Sequence, residues 1–117
     1  MGGHSYGGRQ CSMLAASEPG VADALLLLSY PLHPPKSPAQ MRTAHFPALH
    51  TPALFVHGTR DAFGSIDEMK VALKLIPSRT QFLSVDAAGH ELLTAKNRSA
   101  LPGAIAGHFT TFVASCQ

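Results

Sequence analysis

Short apolar runs alternate with amphipathic stretches along this chain of 117 residues, in the strand and helix rhythm of a parallel sheet. The apolar runs predict strands, and the amphipathic stretches predict helices on the faces of the sheet. The runs at 24–30 and 52–58 lack polar alternation, which is typical of parallel strands covered on both faces. The predicted strands are 24–30, 52–58 and 81–85, and the predicted helices are 8–17, 65–76 and 102–114, with a short helical turn at 41–45.

The predicted helix at 65–76 has clear signals at both of its ends. Ser65 is followed three residues later by Glu68, a capping-box pattern in which each side chain accepts from the other residue's backbone N–H. Apolar residues then recur on one helical face, and Pro77 ends the helix. The residues of this face are Ile66, Met69, Leu73 and Ile76. The predicted fold class is therefore α/β, with helices that flank a parallel sheet.

Composition limits the chain to one domain, residues 1–117, whose 45% of hydrophobic residues suffices for a single core. The net charge is only +2 and the basic residues are scattered, so we expect no nucleic-acid partner. Cys11 and Cys116 lack the spacing of metal ligands, which favours reduced thiols and a cytoplasmic location. The leucine run is much shorter than the ~20 residues of a membrane span, so we expect no membrane contact.

The stretch between the first two predicted strands is rich in proline and predicts an irregular connection. It contains three histidines, His33, His45 and His50. Pro47 separates His45 from His50, and these two fit neither one helical face nor one strand face, so we predict no metal site. We expect these histidines to be solvated.

Residues 3–7 read Gly-His-Ser-Tyr-Gly, a Gly-x-Ser-x-Gly pattern centred on Ser5. In a nucleophile elbow such a serine lies on a strained turn between a strand and a helix. A glycine two residues to either side lets the backbones approach closely. The predicted helix follows Ser5, but only four residues precede it, so we predict that no strand precedes Ser5.

A serine hydroxyl becomes a good nucleophile when a base removes its proton and an acid orients that base. Asp61 and His90 are the candidates, because each follows a predicted strand and reactive groups collect beyond the carboxyl ends of parallel strands. Asp86 is a rival acid, and Asp61 has the alternative role of closing a turn or capping a helix. His57 is a rival base, which we interpret as a structural residue packed at the rim of the sheet.

The chain resembles the α/β-hydrolase superfamily, in particular its small dienelactone-hydrolase-like members. Three segments in order carry the resemblance. They are residues 3–9 (Gly-His-Ser-Tyr-Gly-Gly-Arg), residues 52–61 (Pro-Ala-Leu-Phe-Val-His-Gly-Thr-Arg-Asp) and Gly89-His90. The resemblance implies the C-terminal half of an α/β-hydrolase fold, a partial doubly wound parallel sheet with flanking helices. We expect the N-terminal half to be missing or to come from another chain.

The resemblance also implies roles for four residues. Ser5 would be the nucleophile, His90 the general base and Asp61 the acid that orients it, in the chain order of an α/β hydrolase. The backbone N–H of Tyr6 would be one donor of the oxyanion hole. The second donor would come from a loop after an earlier strand, for which the chain has no counterpart.

The expected chemistry is hydrolysis of an ester, thioester or lactone, a small-molecule acyl substrate, without a cofactor or a metal. Because half of the scaffold and one oxyanion donor are absent, we expect little or no activity from this chain alone. The alternative is a non-catalytic interaction module derived from a hydrolase. Such a module would self-associate or bind a partner chain through an exposed sheet edge.

Overall fold

A computed structural model describes residues 1–116, which form a four-stranded parallel sheet with helices on both faces. The strands are β1 (Gly2–His4), β2 (Leu25–Leu28), β3 (Ala53–Gly58) and β4 (Thr80–Val85). The helices are α1 (Tyr6–Ser17), α2 (Ile66–Leu73) and α3 (Leu101–Ser115), with 3₁₀ turns at Pro19–Val21 and Phe46–Ala48. The strands pair in chain order, so β1 and β4 are the edges. The predicted α/β fold class is confirmed.

The two central strands send alternate side chains to opposite faces of the sheet. Leu27 and Phe55 pack against α1 and α2 on one face, in a core cluster that includes Ala15 and Met69. Leu54 and Val56 pack against α3 on the other face, in a cluster that includes Ile105 and Phe112. Every residue of β3 is buried. Burial of both faces explains why the sequence of this strand shows no polar alternation.

A short strand precedes Ser5, so the prediction that none does is wrong. Gly2, Gly3 and His4 pair in parallel with Leu26, Leu27 and Leu28 of β2. The Ser5 N–H continues this ladder by donating to the Leu28 carbonyl at 2.7 Å. Three residues are enough because β2 supplies the partner along their whole length, so the strand depends on tertiary pairing rather than on its own propensity.

The helical turn predicted at 41–45 does not form. A 3₁₀ turn begins directly after it instead, at Phe46, and includes Pro47, the residue expected to end the helical turn. Proline is favoured in a first turn because the N–H that it lacks would have no partner there. Phe46 is fully buried against Tyr30 and Phe55, and this packing holds the turn on the core.

The helices are short and begin with recognisable signals. The predicted capping box of α2 is present: the Ser65 hydroxyl accepts from the Glu68 N–H at 3.1 Å, and the Glu68 carboxylate accepts from the Ser65 N–H at 2.9 Å. The longest helix, α3, has 15 residues and carries Pro102 in its first turn. Among residues 1–116, no helix is both long and apolar enough to cross a membrane.

The end of β3 touches the loop that carries His90. A Cβ on Gly58 would clash with the Ala88 carbonyl oxygen and would lie 2.6 Å from that of Gly89. The Arg60 N–H donates to the same Ala88 carbonyl at 2.9 Å. Glycine at position 58 therefore allows the two loops beyond β3 and β4 to pack together, which sets the distance between Asp61 and His90.

We predict that Gly58→Ala destabilises the protein by about 1–3 kcal/mol, because the added methyl group must displace buried backbone. Gly107→Ala is the matched control, since a Cβ there meets nothing within 4 Å on the surface of α3. The control should gain about 0.5–1 kcal/mol from the better helix propensity of alanine. Urea unfolding measures both changes, and equal stabilities of the two variants would contradict the prediction.

Candidate active site

Ser5 lies on a strained turn between β1 and α1. Its backbone has φ 55° and ψ −121°, a conformation that residues with a side chain rarely adopt. Two hydrogen bonds hold the turn: the Ser5 N–H donates to Leu28, and the Ser5 carbonyl accepts from the Arg9 N–H at 3.0 Å. The turn places the Ser5 hydroxyl at the carboxyl end of β1.

The close backbone approach at this turn involves Gly3 and Gly8. A Cβ on Gly3 would lie 2.6 Å from the backbone of Gly7 and Gly8, and a Cβ on Gly8 would lie 2.7 Å from the Gly3 oxygen. A Cβ on Gly7 would meet nothing within 4 Å. The expected close approach is confirmed at Gly3, whose backbone meets that of Gly7 and Gly8. The expectation that position 7 also has to be glycine is wrong, because the second residue that must lack a side chain is Gly8.

Ser5, His90 and Asp61 form a continuous line of hydrogen bonds. The Ser5 Oγ lies 2.6 Å from His90 Nε2, and His90 Nδ1 lies 2.9 Å from Asp61 Oδ2. Because a carboxylate can only accept, Nδ1–H donates to Asp61 and Nε2 is left to accept from the serine hydroxyl. The structure thus brings together the three side chains selected from the sequence, with the imidazole in the tautomer that a general base requires.

Asp61 is buried and uses its two oxygens for different partners. One oxygen faces His90, and the other, Oδ1, accepts from the Phe63 N–H at 2.8 Å. Closing a turn and orienting His90 are therefore compatible roles for one residue. Asp86, the rival acid, is exposed and makes no side-chain hydrogen bond in the part of the chain that the structure describes.

His57, the rival base, is fully buried beneath the loop that follows Asp61. Its Nε2 donates to the Gly64 carbonyl at 2.7 Å and lies 3.8 Å from Asp61 Oδ2. Its Nδ1 has no hydrogen-bond partner among residues 1–116. The structure places this ring against the Asp61 loop, while Ser5 is hydrogen-bonded to His90.

Phe63 and His4 also contact His90, although neither was predicted from the sequence as a site residue. The Phe63 ring stacks on the imidazole, with centroids 4.1 Å apart and an interplanar angle of 29°. His4 Nε2 donates to the His90 carbonyl at 2.8 Å. Phe63 lies two positions after Asp61, and His4 lies directly before Ser5. This proximity in the sequence is the signal that could have identified them.

The first turn of α1 presents backbone donors beside Ser5. Tyr6 is the first residue of the helix, so its N–H has no partner within the helix, and its side chain is exposed. No acidic residue lies in this first turn, which leaves the positive end of the helix dipole uncompensated. Residues 1–116 contain no cluster of His, Cys, Asp or Glu suited to a metal ion.

The connection between β2 and β3 contains buried polar contacts, so the expectation of solvated histidines is wrong for His33 and His45. His45 Nε2 lies 2.8 Å from the buried Ser12 hydroxyl and 3.5 Å from the Tyr30 hydroxyl. Burial and the nearby Arg9 charge lower the pKa of His45. Burial raises the pKa of Tyr30 to about 12, which keeps its hydroxyl a donor to the Arg42 carbonyl. His50 is exposed, as expected.

His33 links this connection to the start of α2. Its Nδ1 lies 2.7 Å from the Pro34 carbonyl, and its Nε2 lies 3.0 Å from the Glu68 carboxylate. The Pro34 carbonyl and Glu68 raise the pKa of His33 above its ordinary value of 6.5. Hydrogen bonds from the Ser65 N–H and from His33 lower the pKa of Glu68 below its ordinary value of 4.5.

The parallel sheet with its helices on both faces and the Ser-His-Asp geometry define the class of protein as an α/β hydrolase. Sequence comparison agrees, because the model of the alpha/beta hydrolase domain family matches residues 1–108. The chain belongs to this family, which confirms the resemblance to the α/β-hydrolase superfamily.

Solved structures show the same fold. Est1E from Butyrivibrio proteoclasticus is 17% identical over 97% of this chain and 61% of its own, with a TM-score of 0.74. The esterase domain of a Rhodothermus marinus protein is 18% identical over 92% of this chain and 58% of its own, with a TM-score of 0.67. Dienelactone hydrolase from Anabaena variabilis is 22% identical over 89% of this chain and 43% of its own, with a TM-score of 0.65. This chain therefore spans about half the length of these structures.

We predict a pH-dependent contribution of the His33–Glu68 pair to stability. The part due to His33 is fully present below pH 6.5 and is lost as pH rises through its raised pKa. The part due to Glu68 is fully present above pH 4.5 and is lost as pH falls through its lowered pKa. The pair should stabilise most between these two values.

Glu68→Gln tests this prediction, because the amide oxygen still accepts from the Ser65 N–H while the charge is removed. Urea unfolding should show a larger loss of stability at pH about 5.5 than at pH about 9. Asp67→Asn, at the neighbouring acidic position of the same helical turn, controls for the helix dipole and should lose about the same at both pH values. A pH-independent loss in Glu68→Gln would contradict the prediction.

Proposed function

We propose that this chain carries the nucleophile, base and acid of a serine hydrolase that acts on an ester, thioester or lactone. The observation that carries the proposal is the continuous hydrogen-bond line from Ser5 through His90 to Asp61. Membership of the alpha/beta hydrolase domain family supports it. The strained backbone of Ser5 is also typical of a nucleophile elbow.

The proposed reaction has two steps. His90 Nε2 takes the proton of the Ser5 hydroxyl as Oγ attacks the acyl carbonyl, and the same proton passes to the leaving alcohol or thiol as the bond to it breaks. Water then attacks the acyl-serine as His90 takes one of its protons, and the same proton passes to Ser5 Oγ as the acyl–Oγ bond breaks and the acid is released. Asp61 holds the ring in one tautomer and stabilises the imidazolium in both steps.

The Tyr6 N–H is the proposed donor to the oxyanion. It is the first free N–H of α1 and adjoins the nucleophile. An α/β hydrolase uses a second N–H from a loop after an earlier strand, and the described residues contain no such loop before β1. Losing one donor costs about 10²–10³ in rate, so we propose that the 117-residue chain by itself turns over slowly.

A second candidate function is a non-catalytic interaction module. Within the described residues β1 has a strand neighbour on one side only, and an edge with free backbone groups favours pairing with another chain. A cavity of about 410 Å³ lies beside this edge, between β2 and α3, and most of its lining is apolar, including Leu26, Leu28 and Ile105. Reactivity of Ser5 distinguishes the two candidates, because an interaction module does not need an activated serine.

We predict that the 117-residue chain reacts with a fluorophosphonate probe and that Ser5→Ala abolishes the reaction. Ser17→Ala is the control, since Ser17 is an exposed serine at the end of the same helix and should leave labelling unchanged. Labelling followed on a gel and mapped by mass spectrometry gives the measurement. A folded chain whose Ser5 does not react would overturn the hydrolase proposal and favour the interaction module.

We predict that Asp61→Asn slows labelling by about 10³–10⁴, because the amide favours the wrong tautomer of His90. Asp86→Asn is the matched control and should react at the wild-type rate, since Asp86 is exposed and forms no hydrogen bond to His90. The rate of probe consumption is measured for both variants. A larger effect at Asp86 than at Asp61 would assign the acid to Asp86.

A further inference from the structure

Phe63 contacts the proposed base on the face of its ring. The two rings are nearly parallel, with centroids 4.1 Å apart and an interplanar angle of 29°. The His90 side chain is 19% exposed, so the Phe63 ring provides part of the cover that separates the imidazole from water. The mechanism proposed above gives Phe63 no role.

Phe63 also contacts the proposed acid through its backbone. Its N–H donates to Asp61 Oδ1 at 2.8 Å, while Oδ2 accepts from His90. A carboxylate held at one oxygen has a fixed rotation, so the second oxygen points at the imidazole. One residue therefore sets the orientation of the acid by a hydrogen bond and of the base by stacking.

The loop that carries Phe63 is itself held from two directions. The His33 N–H, beyond β2, donates to the Phe63 carbonyl at 3.0 Å. The His57 ring, from β3, donates to the next carbonyl, that of Gly64, at 2.7 Å. A Cβ on Gly64 would lie 3.1 Å from Leu32, so the loop also packs tightly on the connection after β2. These contacts fix Phe63 before any substrate binds.

We propose that Phe63 is a positioning residue for acyl transfer, one that fixes the plane of the His90 ring and directs Asp61 toward it. The inference rests on the proposed function, because it concerns the geometry of the proposed base. The ring also favours the transition state electrostatically, since an aromatic face attracts the imidazolium that forms when His90 takes the serine proton. Phe63 acts through His90 and Asp61 and need not touch the substrate.

The rate of fluorophosphonate labelling tests the proposal in the 117-residue chain. Phe63→Leu should slow labelling of Ser5 by about 3- to 10-fold, because the stacked face and its cation–π attraction are lost. Phe63→Tyr retains the ring and should restore the rate. Phe109→Leu is the matched control: the same change at another half-buried phenylalanine, on α3, should leave the rate unchanged. Equal rates in Phe63→Leu and Phe109→Leu would overturn the proposal.

Nuclear magnetic resonance provides a second readout that does not need a reactive serine. The ring protons of His90 should move downfield in Phe63→Leu, because the ring current of the stacked phenyl is lost, and they should stay in place in Phe63→Tyr. Cross-relaxation between the His90 ring protons and the protons of the Ser5 side chain should also weaken, because the plane of the imidazole ring is no longer fixed. An unchanged His90 spectrum in Phe63→Leu would overturn the positioning role, whether or not the wild type labels.

The two readouts separate this inference from the proposed function. If the wild type does not label but the cross-relaxation between the His90 ring and the Ser5 side chain weakens in Phe63→Leu, the hydrolase proposal fails and the orientation of the ring by Phe63 stands. If Phe63→Leu unfolds, Phe63→Met takes its place in both measurements, because the flexible methionine side chain fills irregular space without an aromatic face. If Phe63→Met labels at the wild-type rate and leaves the His90 spectrum unchanged, the inference is overturned.

Discussion

The parallel register of the four strands determines where the groups of the candidate site lie. His4 of β1 pairs with Leu28 of β2, and Leu28 pairs with Val56 of β3. Val56 in turn pairs with Leu83 of β4. All four strands therefore end at the same edge of the sheet, and the turns beyond them converge. A slip of one residue in any pairing would exchange the two faces and move Ser5 away from His90.

Backbone strain is concentrated at this same edge. Among residues 1–116, the four non-glycine residues with positive φ are Ser5, Ser29, Ala87 and Leu92. Ser5 follows β1, Ser29 follows β2, and the other two flank His90 on the loop after β4. Each such conformation costs roughly 1–3 kcal/mol and persists where the surrounding structure determines it. Here the buried central strands and their hydrogen bonds provide that constraint, so strain and candidate chemistry occur together.

The connection between β2 and β3 forms hydrogen bonds with the elements that carry the site. The regular structure within this connection is one 3₁₀ turn. His33 reaches both α2 and the Asp61 loop, and His45 reaches Ser12 of α1. The two histidines thus join the irregular segment to the helices that follow the nucleophile and the acid. Buried polar groups need partners, and these partners explain why such a polar segment can fold against the core.

Local signals in the sequence were sufficient for the three longer strands, for the helices and for the order of Ser5, Asp61 and His90. Continuous apolar runs, the capping box at Ser65 and the Gly-x-Ser-x-Gly pattern all act over a few residues, so they can be recognised without knowing the fold. Asp61 and Asp86 were harder to separate. Both follow a predicted strand, and the difference between them is which one the imidazole faces.

Contacts between residues that are distant in sequence determined the features that local signals did not predict. Ser5 and His90 are 85 positions apart, and Asp61 and His90 are 29 apart, so the strand register determines whether they meet. Pairing with β2 made a strand of Gly2–His4, and stacking against His90 gave Phe63 its place. The sequence by itself determined which residues were available for the chemistry. The tertiary structure decided which of them touch, because hydrogen bonds and ring stacking require positions that only the packed sheet provides.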